Sequence, residues 1–108
     1  MNFSAKALSV FRQAPARLNC AQAVCFGAGR EDLLDTMQQC GGGRVEGGTC
    51  EALYGAMSVA GADKAEQIRL EFIAACGSDT CKMLKQERKL PCETSVSTAS
   101  SLLEKYLG

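Results

Sequence analysis

Histidine is absent from this 108-residue chain. That removes the side chain most often used as a general base near neutral pH and the commonest zinc ligand, and it leaves cysteine as the main soft ligand type besides methionine. An excess of either charge is absent too. Twelve lysines and arginines balance twelve aspartates and glutamates, so no net field draws the chain to nucleic acid or to an anionic membrane. No long apolar run opens the sequence, because Asn2, Ser4, Lys6, Ser9 and Arg12 interrupt it. Neither a signal peptide nor membrane insertion is expected, and the expected compartment is the cytoplasm. Reducing conditions there favour thiols that bind metal or cycle over a permanent disulfide framework, and with seven cysteines one must stay unpaired.

What is present reads as helix. Residues 1–108 form a single domain by length, large enough to bury about two-thirds of the unfolded surface without staples. Phe3, Ala7, Phe11 and Ala14 recur at helical spacing, with Ser4 as a cap and Pro15 as the stop. Asn19 is a good N-cap for a short helix from Cys20 to Phe26, ended by Gly27 and Gly29. Glu31 to Gln39 gives a third helix, with Leu33, Leu34 and Met37 available for burial. Thr49 can cap a fourth from Cys50 to Ala60, whose Ala52, Gly55 and Ala56 are small enough for close packing beside Leu53 and Met57. Asp63 opens a fifth that buries Ala65, Ile68, Phe72 and Ala75 and ends at Gly77. Ser78 caps a sixth carrying Cys81, Met83 and Leu84, broken by Pro91. The last starts at Cys92 or Glu93 and buries Val96, Ala99, Leu103, Tyr106 and Leu107. With no alternating strand pattern, the expected fold is all-α, a compact single-domain bundle of about five to seven short helices.

Between Cys40 and Gly48 five glycines fall in nine residues, too great an entropy cost for a helix. Neither a GxxxxGK[ST] motif nor a strand followed by GxGxxG is present. The loop is better suited to bringing backbone close to a cofactor or a neighbouring helix, with the N–H groups of Gly41, Gly42, Gly43 and Gly48 available to thiolate or sulfide. Lys82, Lys85, Arg88 and Lys89 form the one basic cluster. It reads either as a solvated helix face or as a docking face for an acidic redox partner.

Four of the seven cysteines, Cys20, Cys50, Cys81 and Cys92, fall in the first turn of a predicted helix. Unpaired N–H groups and the positive end of the dipole favour thiolate there, making cysteine a better nucleophile or metal ligand. One dipole contributes only about 0.3–1 kcal/mol, less than the roughly 1.4 kcal/mol of one pKa unit. Several helix ends must converge for a thiol to be activated. No CxxC knuckle of the thioredoxin, zinc-ribbon or ferredoxin kind is present. Cys20 and Cys25 would stand about 140° apart on one helix, so they do not face each other. Cys25, Cys40 and Cys76 read as small buried thiols, with Cys40 and Cys76 also near enough in sequence to Cys50 and Cys81 to act as resolving thiols.

The run Asn19-Cys20-Ala21-Gln22-Ala23-Val24, the glycines Gly41 to Gly43 leading to Gly48-Thr49-Cys50-Glu51-Ala52-Leu53-Tyr54-Gly55-Ala56, the segment Gly77-Ser78-Asp79-Thr80-Cys81 and the pair Pro91-Cys92 resemble the C-GCAxxG-C-C family of redox-active proteins. The resemblance spans nearly the whole chain, and the family's four shared cysteines correspond to Cys20, Cys50, Cys81 and Cys92. Where the family has Cys-Gly-Ala, this chain has Cys50-Glu51-Ala52. The resemblance implies a small redox protein working beside an oxidoreductase or transport partner, and a similar domain of a split-Soret-type cytochrome is associated with an iron–sulfur cluster.

The function expected is electron transfer or redox sensing through Cys20, Cys50, Cys81 and Cys92 as ligands of an iron–sulfur cluster. Four thiolates also suit zinc, and iron is preferred through the resemblance. A cluster shared between two chains would make a homodimer. The alternative is a metal-free dithiol–disulfide oxidoreductase in which one low-pKa cysteine attacks and another resolves. A structural zinc site or a plain helical interaction module stands behind both.

Overall fold

The computed structural model describes residues 2–11, 18–38, 49–80, 83–84 and 92–107. Six α-helices lie among them: α1 Phe3–Val10, α2 Cys20–Gly27, α3 Leu34–Met37 after a 3-10 turn at Glu31–Leu33, α4 Glu51–Ala60, α5 Ala62–Cys76 and α6 Cys92–Leu107. No strand occurs among the described residues, and Phe11 with Leu18 and Thr49 with Thr80 form isolated bridges. The fold is all-α. No described helix is long and apolar enough to cross a membrane.

Helix α2 is the centre of the molecule. Cys20, Ala21, Ala23, Val24, Cys25 and Gly27 are all buried, with Gln22 and Phe26 half-buried on the remaining side, so more than half of the helix circumference needs neighbours. Helix α4 supplies one of them at very close range. A Cβ on Gly55 would lie 2.8 Å from the carbonyl oxygen of Ala21, so only glycine permits this approach. Leu53, Ile68, Phe72, Val96 and Leu103 fill the remaining core from α4, α5 and α6.

Side-chain contacts fix the directions of the last three helices. Glu71 of α5 pairs with Lys105 of α6 at 2.6 Å and accepts from Tyr106, whereas Cys76, five residues further along α5, hydrogen-bonds Thr98, seven residues earlier in α6 than Lys105. The two helices are therefore antiparallel. Only Gly61 separates α4 from α5, and the N–H of Cys50 at the start of α4 donates to the carbonyl of Asp79 just past the end of α5 at 2.7 Å. These helices too run in opposite directions. The start of α4, the end of α5 and the start of α6 consequently share one end of the bundle.

Several boundaries differ from the sequence expectation. Helix α1 is capped by Asn2, whose side chain accepts from Ala5 N, and Ser4 instead meets Ser97 Oγ of α6 at 2.8 Å. Cys50, not Thr49, is the N-cap of α4, because the Thr49 backbone is engaged with Thr80. Gly61 rather than Asp63 precedes α5. Residues 31–33 wind more tightly than an α-helix, which shortens α3. Ala75 and Leu107 are exposed, and Cys76 takes the buried place expected of Ala75. Gly77 ends α5 as expected, and its φ of 98° makes it a left-handed cap.

Candidate functional site

Cys20 is the first residue of α2, and its position is locked from both sides. The Asn19 side chain accepts from Gln22 N at 2.8 Å while Gln22 Oε1 accepts from Asn19 N at 3.0 Å, a reciprocal capping box. Asn19 Nδ2 also donates to Met37 O at 3.1 Å, and Gln22 Nε2 to Leu34 O at 2.9 Å. The first turn of α2 is thereby tied to α3. The glycine-rich stretch leaves the described structure just past Gln38, beside this turn, and re-enters it at Thr49, beside Cys50. Gly41, Gly42, Gly43, Gly48 and Cys40 lie outside the described residues.

Cys50 is buried, with 4 % of its surface exposed, and its backbone holds the chain from α5. Thr49 and Thr80, the residues before Cys50 and Cys81, are bridged to each other. Thr80 is also the cap of a helical turn: its Oγ1 accepts from Met83 N at 3.3 Å and its carbonyl from Leu84 N at 3.0 Å. That turn starts two residues later than Ser78, the expected cap, whose hydroxyl accepts from Thr80 N at 3.2 Å instead. Cys81 and the basic residues Lys82, Lys85, Arg88 and Lys89 lie outside the described residues. Cys92 opens α6 and is half-buried.

Burial does not separate the two cysteine classes, since Cys20 and Cys50 are as enclosed as Cys25 and Cys76. Position does. Cys25 lies in the middle of α2 with its Sγ 4.0 Å from Gly55 O, in the tight seam against α4. Cys76 lies at the last residue of α5, where the dipole opposes a thiolate. Burial pushes its thiol above the ordinary value of 9.0, against a smaller opposing effect of the Thr98 hydrogen bond.

Sulfur donors on helix N-termini suit a thiolate-ligated group chemically, because the helix ends offset the negative charge of the ligands. Among the described residues, however, no three cysteine, aspartate or glutamate side chains are gathered so as to hold a metal ion. The described part brings the ends of α4, α5 and α6 together without building a three-ligand centre from Cys20, Cys50 and Cys92.

Two further residues belong to this end, Glu51, already marked in the sequence as the departure from the family's Cys-Gly-Ala, and Arg69, which was not singled out. Glu51 is buried in the first turn of α4 directly after Cys50, an acidic residue at a helix start. Arg69 pairs with Asp79 at 3.2 Å. The ten-residue separation of that pair, across the end of a helix, has no sequence signature. Comparison of the chain with family models, curated proteins and solved structures found no match in any of the three.

Proposed function

We propose that this chain is a small redox protein in which Cys20, Cys50, Cys81 and Cys92 hold an iron–sulfur cluster for electron transfer or redox sensing. The observation that carries the reading is the meeting of helix ends at one pole of the bundle, where the Cys50 N–H is bound by Asp79 and Thr49 is bridged to Thr80, the residue before Cys81. The resemblance of the cysteine pattern to the C-GCAxxG-C-C family adds the choice of iron over zinc. When bound, the cluster would accept and release one electron at a time. The chain's own part is to present thiolates from helix starts, to bury Cys20 and Cys50 away from oxidants, and to hold the Asn19–Cys20 turn against α3.

A second reading is supported by the same geometry. Dithiol–disulfide exchange needs sulfurs only in pairs, and the bridge between Thr49 and Thr80 aligns the residues before Cys50 and Cys81. Protein purified under strict exclusion of air separates these readings. Visible absorption with matching iron and acid-labile sulfide supports the cluster, and metal without colour indicates zinc. Colourless, metal-free protein that reduces a small disulfide with two electrons per chain indicates thiol exchange, and inactivity in all three assays rejects a redox role.

A further inference from the structure

The turn that bridges α5 to Cys50 is held by one arginine. Arg69 Nη1 donates to Asp79 Oδ2 at 3.2 Å, and the other side of its guanidinium engages both oxygens of Glu66, one turn earlier on α5. Asp79 in turn accepts the Cys50 N–H through its main-chain carbonyl at 2.7 Å. A planar guanidinium can bind two carboxylates at once in fixed directions, which the single point charge of lysine does less well. The rest of the α5 packing does not depend on this chain of contacts. Ile68 and Phe72 are fully buried in the core, and Glu71–Lys105 and Cys76–Thr98 separately join α5 to α6.

We propose that Arg69 is a positioning residue for Cys50: by fixing Asp79 it holds the 78–80 turn against Thr49–Cys50 and so sets the seat of the Cys50 thiol. The proposal rests on the redox reading above for its purpose. Its geometry stands without that reading. Removing the guanidinium leaves Asp79 without its anchor on α5, so the turn separates from α4 more often and Cys50 becomes accessible in those openings.

The test is alkylation of reduced, metal-free protein, followed cysteine by cysteine by mass spectrometry, in Arg69→Ala, Asp79→Asn and Arg69→Lys. Cys50 is expected to label about threefold to fivefold faster in the first two, the factor that a partly exposed ion pair supports, while Cys25 keeps its wild-type rate. Arg69→Lys recovers part of the protection, and the double variant is no faster than either single one, because both residues act through one contact. In protein that carries a redox couple, Arg69→Ala also moves the midpoint potential, which a merely structural ion pair would leave in place. An unchanged Cys50 rate in both Arg69→Ala and Asp79→Asn overturns the proposal, as does a common rise at Cys50 and Cys25. Labelling requires neither cluster nor substrate, so a wild-type protein lacking any redox couple defeats the functional reading alone and leaves the Cys50 rates to decide this one.

Discussion

At the scale of single residues, the cysteines are told apart by their place on a helix and not by depth. Cys20 and Cys76 are nearly equally buried, yet one opens a helix and the other closes one. Cys76 therefore gives the clearest pH signature. Its thiol is raised by burial above 9.0, so above that value the folded chain keeps a proton that the unfolded chain has lost. Stability then falls as pH rises, and the contribution present below the unfolded pKa is lost on passing through the folded one. Urea unfolding of the reduced protein between about pH 8 and about pH 10 should show a steeper loss of stability for wild type than for Cys76→Ala. Parallel curves for the two proteins would mean that Cys76 titrates as it does in the unfolded chain. The Asn19 cap was legible in the sequence, because cap and capping box depend only on neighbouring residues. The Arg69–Asp79 tie was not, since it exists only after α5 and the following turn have folded.

At the scale of elements, small residues decide how close the helices come. Gly55 was read as part of a small face, and the seam with α2 is where that face is used. Alanine at Gly55 would gain about 1 kcal/mol of helix propensity. It would also place a methyl group 2.8 Å from the Ala21 oxygen and 3.1 Å from the Ala21 Cα. Backbone atoms cannot swing aside as side chains do, so overpacking should win, with a net loss of about 1–3 kcal/mol in a denaturant titration. Gly29 offers the control. It has φ 79° with open space around the missing Cβ, so alanine there costs only the left-handed strain of about 1–2 kcal/mol and leaves the α2–α4 seam intact. Faster alkylation of Cys25 in Gly55→Ala but not in Gly29→Ala would confirm the seam, and equal rates would place the damage elsewhere. Helix existence followed from periodicity for α1, α2, α4, α5 and α6, but boundaries depended on distant partners. Thr49 lost its expected capping place to Cys50 because Thr80 holds the Thr49 backbone, a contact 31 positions away in sequence that no local pattern encodes.

At the scale of the whole molecule, the cysteine-bearing pole reaches into the core through Cys20 and Cys50, which belong to the same buried cluster as Leu53 and Phe72, and only Cys92 stands at its edge. Phe72, Leu53, Ile68 and Leu103 are completely buried among α4, α5 and α6, whereas Cys92 opens α6 at the pole and stays half-buried. The chain ends are joined as well, since Phe3 N donates to Glu104 Oε1 at 2.7 Å and Ser4 meets Ser97. The all-α fold was legible because helical spacing of apolar residues marks the buried faces, even though Ala75 and Leu107 fell on exposed ones. The site was legible only as a set of helix starts, since which starts share a pole follows from the antiparallel order of α4, α5 and α6. A bundle built this way should stay folded without any metal. Cys92→Ser exchanges one partly exposed small side chain for another and should shift the thermal midpoint of metal-free protein by no more than a few degrees, the effect of about 1 kcal/mol or less. Phe72→Ala empties a fully enclosed site and should cost about 3–5 kcal/mol. Circular dichroism melts of both variants, beside wild type treated with chelator and reductant, measure the contrast. If Cys92→Ser lowers the midpoint as far as Phe72→Ala does, the thiol belongs to the core. If wild type loses its helical signal on removal of metal, the pole holds the fold together. The expected result, a stable helical scaffold with a replaceable sulfur at its pole, is the one under which any loss of the proposed metal or thiol chemistry in Cys92→Ser reports on that chemistry instead of unfolding.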